Sequence, residues 1–428
     1  MFKRAPFLAE WTRFQQKYAS KVRHLVAPTT EPGISSITLQ LFQLCSHCSP
    51  LLPNLTSIDW NGNETNLPFI TLFISRSLTS ISIDVSAKAG RMLPPILMRL
   101  SKMSPNISKI LVQRLKYEPS LEEASSHLIM QCNPHRLRKF DVDAPLSASA
   151  FRRIMQLPSL EEFWVVGSCH LPDPLPAVVF PSLQVLDVDF NGDLTWLKLL
   201  PAIQSPVLSA ISVDCPGNAI TRFMESFQLT ITGCGMHERF HEFRVRNRDD
   251  FNITPQIIAC NFSFTRLTSL TFLSNCTVRC QTSDLTDDDI DLLTNAMPGL
   301  KSLSVGEQPC SVPSKITFKS LYTLSRRCTG LTTLQIHFNP NSFITKISGD
   351  LDSGDSLGLV APSCDLCAVT KVDVGKIALP TQSMSFIMAL GLLGVFPRLE
   401  ELEYENVAWK EIDDLIRVQK HIHAFVMG

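Results

Sequence analysis

Residues Ser283–Glu307 read SDLTDDDIDLLTNAMPGLKSLSVGE, and the run Asp287–Asp289 poses the first question. Three adjacent carboxylates can gather a metal or serve acid/base chemistry, or they can start a helix. The residues after them point to the helix. Ile290, Leu292, Leu293 and Met297 recur at helical spacing and are expected to pack inward. Thr286 or an aspartate then caps the open N–H groups of the first turn, where carboxylates also oppose the positive end of the helix dipole. Pro298-Gly299 turns the chain, and Leu300, Leu303 and Val305 alternate with polar residues as in a short strand with one buried face. A catalytic or metal site would need further ligands from elsewhere, and no spacing supplies them.

The strand half of this unit recurs along the whole chain as apolar-x-x-apolar-x-apolar. It begins as VRHLVA (22–27), LTSIDW (55–60), LTSISI (78–83), ISKILV (107–112), LRKFDV (137–142), LEEFWV (160–165) and LQVLDV (183–188). It continues as LSAISV (208–213), FHEFRV (240–245), LTSLTF (267–272), LKSLSV (300–305), LTTLQI (331–336), VTKVDV (369–374) and LEELEY (399–404). These 14 copies are spaced by 23 to 38 residues, with a mean of 29. A breaker often precedes the strand, as in LPSLEEF, FPSLQVL and FPRLEEL, where proline removes no ladder N–H. Between copies the period turns helical, as in TFKSLYTLSRRC (317–328) and SFIMALGLLGVF (385–396). Strand, turn, helix and turn at roughly 20–29 residues is the leucine-rich repeat. The expected fold is therefore α/β: an irregular leucine-rich-repeat solenoid with a curved parallel inner sheet and helices and turns outside. Asn63, Asn191, Asn275 and Asn339 fall at the offset where that repeat places an asparagine.

Composition narrows the function classes. A chain of 428 residues is two or three domains, or one elongated array. Its 39 Lys and Arg against 40 Asp and Glu give no basic field for nucleic acid or a membrane surface. The N-terminus has neither the apolar core nor the cleavage site of a signal peptide. Phe386–Phe396 falls short of the ~20 apolar residues of a membrane span. Thirteen cysteines in no regular framework fit reduced thiols, hence a cytoplasmic or nuclear protein. Without a secretory signal, the N-x-S/T sequons at Asn54, Asn63, Asn106, Asn252, Asn261 and Asn275 are expected to be coincidental.

Other candidate chemistry is thin. CSHC (45–48) and CDLC (364–367) have the spacing of zinc-ribbon halves. Stacked repeats at ~4.8 Å per strand would hold the two pairs tens of ångströms apart, so buried thiols are expected instead of a metal site. No phosphate loop, dinucleotide fingerprint or nucleophile elbow occurs. RVRNRDD (244–250) lacks the aromatic interleaving of a nucleic-acid patch. No enzyme, cofactor or metal is expected.

Binding is the remaining class, and period-two geometry sorts its residues. Consensus apolar residues face the core, and the positions between them face out on the extended concave surface of such arrays. The outward pairs are Asp141 and Asp143, Trp164 and Val166, Asp187 and Asp189, Ser212 and Asp214, Arg244 and Arg246, then Glu403 and Glu405. Acidic rungs flank a tryptophan beside a basic rung, which fits a protein target with a basic segment and an apolar anchor. The alternative is a polar strand face that merely stays soluble, with Trp164 packed under a loop. Residues 339–368, the longest interval, are either a functional insertion or a disordered one.

With these motifs set out, the chain from about Glu10 onward resembles the ribonuclease-inhibitor-like repeat region of fungal F-box proteins. The resemblance rests on AEWTRFQQKYASKVRHL, the recurring P-x-L-x-x-L-x-V, LTDDDIDLLTNAMPGLKSLSVG and LGVFPRLEELEYENV. It implies the substrate-binding part of a cullin–RING ubiquitin-ligase receptor, whose F-box docks on the adaptor. Only about 20 residues precede the first strand, against ~40–50 for an F-box, already near the lower limit for an independent core. Trp11, Phe14, Tyr18 and Val22 form one apolar stripe. Residues 1–21 are thus read as a capping helix without a complete F-box. Residues 22–428 are read as about 14 repeats closed by a C-terminal capping helix. Adaptor contact is expected only if an F-box lies upstream, and the alternative is a free-standing, inhibitor-like interaction protein.

Overall fold

The computed structural model describes residues 8–27, 40, 50–62, 66–85, 89–113, 119–166, 171, 174–175, 179–189, 194–203, 205–216, 219–233, 235, 238–247, 253–261, 263–274, 284–305, 314–340, 367–374, 385–404 and 408–427. The chain divides into two compact units, Met1–Leu208 and Ser209–Gly428. Both are α/β, with parallel strands in chain order and helices between them.

In the first unit each apolar copy forms one strand, starting two residues after its first apolar residue. These are β1 (His24–Ala27), β2 (Ser57–Gly62), β3 (Ser80–Val85), β4 (Lys109–Gln113), β5 (Lys139–Val142), β6 (Glu162–Val166) and β7 (Val185–Asp189). The repeats are in register. The third residues of successive copies, His24, Ser57, Ser80, Lys109, Lys139, Glu162 and Val185, stand side by side. The fourth residues from β2 to β7, Ile58, Ile81, Ile110, Phe140, Phe163 and Leu186, are all buried. Each such side chain contributes about 1.5–3 kcal/mol, and a one-residue slip would expose the whole column. Helices Leu93–Met103, Pro119–Gln131 and Ala148–Met155 follow β3, β4 and β5 and pack on one another in chain order. Prolines open the first of them at positions where an N–H has no helical partner, and Ser147 caps the third by accepting from the Ala150 N–H.

The second unit repeats the scheme with β8 (Ala210–Asp214), β9 (Glu242–Asn247), β10 (Ser269–Ser274), β11 (Ser302–Val305), β12 (Thr333–Ile336), β13 (Lys371–Asp373) and β14 (Glu401–Glu403). Its fourth-position column, Ile211, Phe243, Leu270, Leu303, Leu334, Val372 and Leu402, is likewise buried. Phe227 stacks on Phe243 at 5.1 Å and meets Phe264 at 6.1 Å, which seats helix Ile220–Gly233 on the strands. Helix Ala408–Met427 follows the last strand with Trp409, Ile412 and Ile416 buried, and Trp409 meets the edge of Phe338.

Within each unit, the carbonyl of a copy's second residue takes two N–H donors from the next copy. The Arg23 carbonyl, for example, accepts from the N–H groups of Thr56 at 2.8 Å and Ser57 at 3.1 Å. At several copies the second residue is Ser or Thr, and its hydroxyl adds a third donor to the same oxygen. Thr56 donates to Arg23, Thr79 to Thr56 and Ser108 to Thr79, all within 3.0 Å. Thr268 donates to His241 and Thr332 to Lys301, each at 3.0 Å. These hydroxyls explain two of the sequons, because Thr56 and Ser108 complete N-x-S/T at Asn54 and Asn106. The Asn54 amide donates to the Ser20 carbonyl, and Asn261 is wholly buried.

Two packing expectations are corrected. Leu292 is 55 % exposed: Ile290, Leu293 and Met297 define the inward stripe, and Leu292 lies about 200° around the helix from Ile290. Tyr18 is 50 % exposed, because the first helix ends at Lys17; among the described side chains of that stripe Phe14 is the buried one, with the Tyr18 ring stacked on it. Val22 is half-buried. The side chain of Trp11, the CSHC pair, Cys364, Asn63, Asn191, Asn275, Glu405 and residues 341–366 lie outside the described residues.

Candidate functional site

Two of the three aspartates of the opening stretch act as caps. Asp289 reaches back to accept the Thr286 N–H at 2.8 Å and the Thr286 hydroxyl at 2.7 Å. Asp287 turns outward to the next repeat, accepting the Thr317 N–H at 2.8 Å, the Thr317 hydroxyl at 2.6 Å and the Ser320 hydroxyl. Thr317 in turn caps helix Phe318–Arg327 by accepting from the Lys319 N–H. Asp288 is exposed, 3.8 Å from Lys319. The expectation of local capping holds for Asp289. The cross-repeat role of Asp287 was missed, although T-x-x-S at its helix start was readable. Among the described residues, no group of three or more His, Cys, Asp or Glu is placed to hold a metal ion. No described helix is long and apolar enough to cross a membrane.

The binding candidates of the first unit lie on β5 to β7, Asp143 one residue past the end of β5. Asp141, Asp143, Trp164 and Asp187 are half-buried side chains on the outward side of the strands. Gln113 on β4 donates to Asp141 Oδ2 at 3.2 Å. Trp164 stands beside Asp187 in the β6–β7 register. At the level before them, Lys139 pairs with Glu162, and Arg138 pairs with Glu161 at 3.2 Å. Register extends the same fifth-position column to Asp59, Ser82 and Leu111, and the seventh-position column to Asp84. Asp189 departs from expectation. It is 2 % exposed, because it ends β7, where alternation no longer sets exposure. The side chain of Val166 lies outside the described residues.

In the second unit Asp214 is 5 % exposed and Ser212 is buried, since every residue of β8 is buried. Neither belongs to an accessible surface. Arg244 and Arg246 are half-buried, and Arg244 pairs with Glu242 on its own strand at 2.9 Å. Further along, the fifth positions form a hydrogen-bonded row in which Ser304 donates to Gln335 and Gln335 donates to Asp373 at 2.9 Å. Lys371 reaches Glu403 at 2.7 Å and Glu401 at 3.5 Å, and its hydrogen bond to Glu403 raises its pKa. This face is thus largely committed to bonds within itself.

Away from these faces, burial shifts several titratable groups. Desolvation pushes the Cys132 thiol up to about 12 and the Cys328 thiol up to about 11, and lowers the pKa of His337. Cys367, from the CDLC motif, is buried. Compared with known proteins, the chain matches no family model and no curated sequence.

Proposed function

We propose that this chain is a non-catalytic leucine-rich-repeat scaffold that recognises a protein target on the outward strand face of its first unit. The observation that carries this reading is the register. Seven parallel strands hold Asp59, Leu111, Asp141, Trp164 and Asp187 at matched levels, with the apolar columns turned away from them. Such a row is rigid because each member is fixed by its own buried neighbours, and preordered aromatic and apolar side chains are the residues that dominate interface energetics. Resemblance to the repeat region of fungal F-box proteins supports a role as the substrate-binding part of a ubiquitin-ligase receptor, in cytoplasm or nucleus. Affinity capture from the cells that make the protein tests both levels. Recognition predicts a protein captured by the native chain and lost with Asp141→Lys, Asp143→Lys and Asp187→Lys combined. The receptor role predicts cullin–RING components among the captured proteins. Unchanged capture by the triple variant contradicts the strand face as the site.

A further inference from the structure

Among the described residues, no strand precedes β1 and none follows β14 in the sheet. The ladder shows which backbone groups these two edges leave over. Even positions of a copy bond to the following strand, and odd positions to the preceding one. The seventh-position Asp143 N–H donates to the sixth-position Val112 carbonyl, and the sixth-position Val374 N–H donates to the fifth-position Glu403 carbonyl. By that alternation the N–H and carbonyl groups of His24 and Val26 face the open edge of β1, and those of Leu402 face the open edge of β14. Nothing seals the first of these edges. Val26 is 66 % exposed, and Leu25 is half-buried where its counterparts on β2 to β7 are buried. An open edge is a template for a further strand.

The two edges differ in charge. Around β1, Arg13, Lys17, Lys21, Arg23 and His24 are exposed against one acid, Glu10. The Arg23 guanidinium donates to the Asn54 carbonyl, a neutral acceptor that leaves its charge uncompensated. At β14, Glu400, Glu401 and Glu403 are exposed, with Arg398 in the turn before them. Glu401 and Glu403 share a single cation, Lys371. We propose that the protein associates head to tail with further molecules of itself, β14 of one adding in parallel to β1 of the next. The even positions of β14 then meet the odd positions of β1, as at every other step of the ladder. Glu400 stands at the level of Arg23, Glu401 at that of His24, and Leu402 beside Leu25. Neighbouring strands at about 4.8 Å bring such side chains together, whereas two β14 strands would set carboxylates against carboxylates. The contact is heterologous, so each molecule keeps one edge open for the next. It does not rest on recognition through the strand face.

Sedimentation velocity of the full chain tests this. The sedimentation coefficient is expected to rise between about 1 and about 100 μM and to fall back as salt screens the edges. Arg23→Glu and Glu400→Arg are each expected to weaken association at least about tenfold. An equimolar mixture of the two should restore it, because each reversed edge then finds its complement. On the native chain, the amides of His24, Val26 and Leu402 should exchange with solvent more slowly at the higher concentration. A protein that stays monomeric over that range overturns the proposal, as does exchange at these amides that ignores concentration, whether or not the variants fold. Association that folded single variants retain, or that their mixture fails to restore, overturns it too. Loss in Arg23→Glu alone would assign the contact to two β1 strands instead.

Discussion

The carboxylate of Asp287 accepts both the backbone N–H and the hydroxyl of Thr317, 30 residues further along the chain. An acid at the start of one helix therefore caps the next, joining successive repeats on the helical side as the strand ladder joins them on the other. Asp287→Ala is expected to cost about 1–2 kcal/mol, the range of a lost helix cap. Asp288→Ala, which removes an exposed carboxylate, is expected to change stability by less than about 0.5 kcal/mol. Urea denaturation of the two variants decides, and equal losses would contradict the division of roles.

The hydroxyls at the second position form the matching device on the strand side. Thr79 donates to Thr56 and its own carbonyl receives Ser108. Thr79→Val keeps the shape and the β-branched side chain but removes the donor, and is expected to destabilise the chain by about 1 kcal/mol. A denaturation midpoint indistinguishable from the native protein's would show that the two backbone donors suffice.

Buried thiols give the chain an alkaline limit. The Cys132 thiol moves from an ordinary 9.0 to about 12 in the folded protein. Between those values the unfolded chain releases its proton first, so stability falls as pH rises from 9 towards 12. Cys132→Ala is expected to flatten that part of the stability–pH curve. Peptide mapping after alkylation at pH 8 is expected to find Cys132, Cys328 and Cys367 modified only once the protein is unfolded.

His337 acts at the opposite end of the scale. Burial lowers its pKa below the ordinary 6.5, so on acidification the unfolded state takes up a proton before the folded state does. Stability is expected to fall as pH drops below 6.5, and His337→Gln should remove that slope. A native-like slope in the variant would assign the acid sensitivity to other groups.

The strands were legible because their signal is redundant. Each of the 14 apolar copies became a strand, and copies such as LTSISI state the alternation twice within six residues. Exposure was less legible where period two stops governing it. Asp189 and Asp214 follow the alternation in sequence, yet each ends its strand and is buried. Leu292 misled for the related reason that three apolar residues within four positions cannot all face one side of a helix. Contacts between repeats, such as Asp287 to Thr317, need a register of about 30 residues that irregular spacing conceals. Asp59 was visible as a residue, but only the aligned strands bring it into one row with Asp141 and Asp187.

Recognition through the strand face is tested most directly by placing a photo-crosslinking amino acid at one side or the other of the chain. Ser82 and Leu111 lie on the strand face of the first unit, whereas Met130 is exposed on its helical side. Irradiation in extracts of the producing cells should join one and the same protein to positions 82 and 111, and not to position 130. Adducts confined to position 130, or none from 82 and 111, would contradict it.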